Sequence, residues 1–220
     1  MRLGTSAVLA TSILLAGCGG ALGQATVSAK SGEQAKPIDA PLAVGASVRP
    51  EVRMELKGAT VPLLLVSARP EVIGTDEGRL VAHAPGVAAI LVTTRDGVVV
   101  DLYHLSAERA TRVALYRTDE QGKDWGEVLD GLDLLVGDSV YLTPKAYFNS
   151  QELGGSVRGE WSATAPIVDL LRQGVGSNRR LVGRSPGDAT LRVLVSGIEL
   201  KVPIRVLEAP GHRRPVGGVP

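Results

Sequence analysis

Short runs of Val, Leu and Ile recur along this chain between Gly, Pro, Asp and Asn, a spacing that predicts strands joined by tight turns. The runs fall at 61–66, 88–93, 98–105, 139–142, 189–195 and 200–206. Arg95-Asp96-Gly97 and Ser196-Gly197 sit between paired runs where hairpin turns belong. No stretch keeps a 3.6-residue apolar period over three turns, although 167–171 is short enough to form a single turn. The pattern predicts an all-β sandwich architecture.

The runs also repeat in order. Leu42-Ala43-Val44-Gly45-Ala46-Ser47-Val48, then Val66-Ser67-Ala68-Arg69-Pro70, then Leu80-Val81-Ala82-His83-Ala84-Pro85-Gly86 form the first copy. Leu134-Leu135-Val136-Gly137-Asp138-Ser139-Val140, then Trp161-Ser162-Ala163-Thr164-Ala165-Pro166, then Leu181-Val182-Gly183-Arg184-Ser185-Pro186-Gly187 form the second. The second copy is longer, which predicts a loop insertion around 172–179. Each Pro-Gly pair joins a fixed φ to a residue free to take positive φ, so the chain turns sharply there. Trp161 supplies bulk to fill the space between two sheets that no disulfide crosses, and Val66 stands at the matching place in the first copy.

These motifs resemble the group 2 bacterial immunoglobulin-like domains found in tandem in intimin- and invasin-like surface proteins. The resemblance covers about 40–207 and implies two tandem immunoglobulin-like β-sandwiches, at 40–107 and 108–207. It names no ligand. Ahead of them, 18–39 is rich in Gly, Ala, Ser, Gln and Lys and reads as a flexible tether, and 208–220 reads as a disordered tail.

The N-terminus carries a second resemblance. Arg2 precedes an apolar run at 7–15 that is too short to span a bilayer but suits a signal peptide. It ends in Leu15, Ala16, Gly17 and Cys18, which resemble a bacterial lipobox, and Cys18 is the only cysteine in the chain. The resemblance implies removal of 1–17, a diacylglycerol on the Cys18 sulfur and acylation of the new amino terminus. Three acyl chains exceed the two signals that stable anchoring needs. Gly19 is not the Asp that retains many lipoproteins in the inner membrane, so by resemblance the outer membrane of a Gram-negative host is favoured. The partner implied with certainty of chemistry is thus a membrane.

Composition then narrows the function classes. The formal charge is +1, which gives no basic field for nucleic acid. Aromatic residues make up 3% of the chain, too few for stacked-ring carbohydrate or single-strand platforms. With its one cysteine committed to lipid, the chain has no thiol chemistry and no Cys-based metal site. His83, His104 and His212 show no spacing that converges with a carboxylate, and no serine elbow or phosphate loop is present. The sequence therefore implies no cofactor, no resident metal and no catalytic residue.

Two charged clusters are the remaining candidates. Asp119, Glu120, Asp124, Glu127, Asp130, Asp133 and Asp138 form an acidic stretch around Trp125, placed between the two copies. It is a solvated loop, a calcium-stiffened junction, or a partner surface if Trp125 is exposed; its spacing matches no EF-hand loop. Arg172, Arg179, Arg180 and Arg184 gather around the expected insertion and offer charge to anionic polymer or lipid headgroups, or simply keep a loop soluble. The expectation is a membrane-anchored envelope lipoprotein serving as a non-catalytic structural or adhesion-type module that engages an envelope protein or surface polymer. The alternative is an accessory subunit of an envelope enzyme, transporter or secretion complex.

Overall fold

The structure, a computed structural model, describes residues 25–31, 34–56, 59–60, 62–173 and 177–208, with side chains described for 38–52, 62–173 and 177–208. Leu15, Ala16, Gly17, Cys18 and His212 lie outside the described residues. Every regular element described is a strand, so the fold is all-β.

Alternation explains why. Gly187–Val195 buries Ala189, Leu191, Val193 and Val195 while Asp188, Arg192 and Leu194 face outward, the period of two that a half-buried strand requires. In the second repeat one sheet runs Asp124–Glu127, Arg112–Thr118, Ser139–Phe148, Arg179–Gly183, Val168–Leu171, with Gln151–Glu152 also on Ser139–Phe148. The facing sheet runs Leu132–Leu135, Ile198–Leu207, Gly187–Val195, Gly159–Ala163. Leu132–Leu135 lies parallel to Ile198–Leu207, with Leu132 opposite Ile204. In immunoglobulin lettering the two sheets are A-B-E-D and A′-G-F-C, so the sandwich is immunoglobulin-like by connectivity.

The first repeat has the same order. Leu42–Ala43, Val99–Glu108, Gly86–Thr94 and Leu63–Ser67 form A′-G-F-C, and Ala46–Val48, Arg79–Ala82 and Ile73–Asp76 form B-E-D. Equivalent backbone bonds close both copies. Val44 N–H donates to Glu108 O at 2.9 Å as Val136 N–H does to Leu207 O at 3.0 Å. His83 N–H donates to Val72 O at 2.8 Å as Arg184 N–H does to Ile167 O at 2.7 Å, just before each Pro-Gly turn. There Gly86 and Gly187 take φ of 140° and 148°.

Four expectations need correcting. Part of the expected tether is sheet: Ala25–Ser31 pairs with Pro50–Leu56 and with Gln34–Pro37, as Arg112–Thr118 pairs with Ser139–Phe148 and Asp124–Glu127. Such strands are held by backbone bonds along a neighbour's edge and need no long apolar run. Residues 168–171 are a strand rather than a turn, paired antiparallel to Arg179–Gly183. Trp161 corresponds to Leu65, not Val66, because Trp161 faces Val193 across the sheet as Leu65 faces Val92. A slip of one residue reverses the face, so Val66 is outward and 45% exposed. The extra length sits in two places: residues 172–178 replace the two-residue Glu77-Gly78 turn, and 153–158 stand where the first repeat has 61–62.

The second insertion ties the repeats together. Ser156–Val157 pairs antiparallel with Ala46–Val48, so a piece of the second repeat adds to the B-E-D sheet of the first. Gly154 N–H donates to Pro41 O at 2.7 Å, Ala43 N–H donates to Gly154 O at 3.0 Å, and Ser196 Oγ donates to Val44 O at 3.0 Å. Leu42, Ile73, Leu80 and Ile90 centre the first core, and Leu115, Leu142, Leu181, Leu191 and Ile204 centre the second. Ala43 and Ala46 of the first repeat pack into that second core beside Leu153 and Val157.

Candidate binding surface

The outer face of the A-B-E-D sheet in the second repeat carries a connected network of polar side chains. Arg112 and Tyr116 reach it from one strand and Lys145 and Tyr147 from the next, because alternate positions of paired strands share a face. Tyr147 OH donates to Tyr116 OH at 2.8 Å, and Tyr116 OH donates to Glu127 at 3.2 Å. Arg112 pairs with Glu127 at 2.8 Å and lies 4.2 Å over the Tyr147 ring. Lys145 pairs with Asp124 and, at 3.1 Å, with Glu152, and lies 4.7 Å from the Tyr116 ring centre. Both edge segments, 124–127 and 151–152, are thereby clamped to the sheet.

This network perturbs two titrations. Burial disfavours the Lys145 charge, but the hydrogen bonds that its ammonium donates to Asp124 and Glu152 outweigh it and hold the group above its ordinary range. Burial first, then the bond to Tyr116, pushes the Tyr147 hydroxyl well above the usual tyrosine range. Further along the face, Thr143 Oγ donates to Asn178 Oδ1, and Thr118 Oγ lies 3.2 Å from Thr143 Oγ. Asn178 Nδ2 and Arg180 Nε are buried without a partner.

Apart from Glu127, which pairs with Arg112, the acidic stretch lies away from the junction of the repeats. It follows strand Arg112–Thr118, whose far end is about 20 Å from Arg112 at ~3.4 Å per residue, and Arg112 is the end that joins the first repeat. Its members are dispersed. Asp119 Oδ1 accepts from Lys123 N–H at 2.7 Å, Asp124 and Glu127 are paired as above, and Asp138 accepts from Leu135 N–H. Glu120, Asp130 and Asp133 are exposed. Among the described residues no three His, Cys, Asp or Glu side chains gather to hold a metal ion.

Trp125, in contrast, projects from this edge. It is 73% exposed and Leu129 is 79% exposed, at the free side of the sheet. Trp161 packs against the second core, with its Nε1 buried and unpartnered and the Arg179 guanidinium 6.0 Å over its ring. Burial, and then Arg172, lower the pKa of Arg179. Arg184 pairs with Asp169, and Arg180 donates to Gln173 at 3.3 Å and sits 6.0 Å over Tyr141. Arg172 is exposed. His83 and His104 are exposed on different sheets, His83 packing over Gly74 and His104 opposite Ala89.

Two further surfaces escaped sequence reasoning. An open groove of about 730 Å³ runs between Arg117, Asp130, Asp133, Asp188 and Arg205, with Arg205 paired to Asp188 at 3.2 Å. On the first repeat, Val66, Leu91 and Leu102 lie side by side across the outer face of the A′-G-F-C sheet, with exposed Leu64 and Val99 in the next row. The alternation of 63–67 and 99–105 is the signal that could have revealed it, since both faces of those strands are apolar. The Tyr116–Tyr147–Lys145 network had no such signal, because its members come from four strands. Among the described residues no helix is long and apolar enough to cross a membrane.

No family model matches the chain, and no curated relative does. Among solved structures, it is similar to domains 4 and 5 of the S-layer protein SbsC at 13% identity and TM-score 0.34, covering 84% of this chain and 98% of that one. It is similar to Yersinia pseudotuberculosis InvD at 10% identity and TM-score 0.31, covering 84% and 58%. It is also similar to invasin, a bacterial integrin-binding protein, at 17% identity and TM-score 0.32, covering 85% of this chain and 40% of that one.

Proposed function

We propose that this chain is a non-catalytic structural and binding module of a bacterial cell envelope, held to its membrane by lipid on Cys18. The observation that carries the reading is the bond between the repeats. Ser156–Val157 on Ala46–Val48, with Ala43 and Ala46 inside the second core, removes the hinge that two separately folded sandwiches would have. A surface on the second repeat is then presented at a fixed place relative to the first repeat. Trp125 and Leu129 are the natural contact there, since a large exposed aromatic beside a free edge is the side-chain chemistry of interface anchors. The partner is an envelope protein or surface polymer, and Gly19 after the cysteine favours the outer membrane of a Gram-negative host.

The apolar row Val66, Leu91 and Leu102 favours a second reading, an accessory subunit of an envelope enzyme, transporter or secretion complex. One experiment addresses both. Cells expressing the wild type or Cys18→Ala are crosslinked and fractionated, and the protein is recovered in mild detergent for mass spectrometry. The wild type is expected in the membrane fraction and the variant out of it; a variant that still fractionates with membranes refutes the anchor. A stoichiometric partner lost on Leu91→Asp selects the accessory reading, and recovery of the protein alone selects the structural one.

A further inference from the structure

The six-stranded sheet of the second repeat ends in two free edges flanked by unlike unpaired charge, and we infer that the acidic edge of one molecule pairs with the basic edge of a second copy. On the acidic edge, Asp124–Glu127, both carboxylates are paired within the chain to Lys145 and Arg112, and the free charge comes from exposed Glu120 and Asp130, set against exposed Lys123. On the basic edge, Val168–Leu171, Asp169 is neutralised by Arg184, and the free charge comes from exposed Arg172 with Arg179 and Arg180 on the adjacent strand. Both edges are four residues long, and each leaves every second backbone N–H and C=O free to bond a new strand. Trp125 is 73% exposed on the acidic edge, and Leu171 on the basic edge is half-buried, Leu170 beside it being turned to the second core.

Because the two edges are different surfaces, the contact is heterologous, and it extends to an open row rather than closing as a dimer.

Sedimentation velocity of the full chain in mild detergent, over a concentration series, reads this directly. The wild type is expected to form species that grow with concentration and disperse near 1 M salt, where the Debye length shrinks to about 3 Å. Glu120→Lys with Asp130→Lys, and separately Arg172→Glu, are each expected to sediment as monomers. Mixing those two variants restores association, because each then offers the edge that the other fits. A wild type that stays monomeric throughout, or a mixture that fails to associate, overturns the inference. The readout does not depend on where the protein sits in the cell, so its failure and failure of the anchor are separate results.

Discussion

Val157→Ala tests the tie between the repeats. Val157 is 3% exposed, pairs across to Ala46 and belongs to the second core. Truncation removes two buried carbons, about 1.6 kcal/mol at ~0.8 kcal/mol each. The space left, on the order of 50 Å³ at ~24 cal/mol per Å³, brings the expected loss to about 2–3 kcal/mol. Val202→Ala is the matched control, because Val202 is 4% exposed in the same core but lies on Ile198–Leu207, away from the added strand. Urea unfolding followed by Trp fluorescence should give similar losses for both variants. Hydrogen exchange read by mass spectrometry should separate them: Val157→Ala lowers protection of Ala46–Val48 and Arg79–Ala82 in the first repeat, and Val202→Ala leaves it at the wild-type level. Unchanged exchange at 46–48 in Val157→Ala, alongside the expected loss in the second repeat, would refute the mechanical coupling argued here.

Alkaline pH should weaken the second repeat. The folded-state pKa values of Lys145 and Tyr147 are raised, so their contribution is complete below the unfolded values near ~10 and is lost as pH rises through the folded ones. Ultraviolet titration should find a tyrosine ionising well above the usual tyrosine range, and Tyr147→Phe should remove that step. Gly131→Ala should destabilise by about 1–3 kcal/mol from backbone strain at φ +137°. Its new Cβ would also stand 2.8 Å from Pro203 O, so thermal melting of the variant at wild-type temperature would count against the structure there.

The central strands were legible because one face of each is buried: 88–93, 189–195 and 200–206 fall inside observed strands, and 98–105 begins one residue before the strand Val99–Glu108. Arg112–Thr118 was not, since Val113, Ala114 and Leu115 are buried in succession and erase the alternation. Asp124–Glu127 and Gln34–Pro37 are edges with no apolar face to advertise them, held by backbone bonds to one neighbour. Trp161 packs against the second core, and its counterpart in the first repeat is Leu65 rather than Val66, a shift of one position that exchanges inside for outside. Trp125 could be noticed in the sequence, whereas its exposure depends on how the hairpin 112–127 lies against the sheet.

Residues 153–158 also make stiffness a matter of loop length. Shortened to match 61–62, that loop would leave the strands of both sandwiches in place and remove the strand pairing that resists one swinging on the other, leaving the Ser196–Val44 bond and the Ala43 and Ala46 packing. A single insertion of this size can thus convert a jointed chain into a lever, which transmits a tug on one end to the other. Selection can adjust that compliance without rebuilding a core.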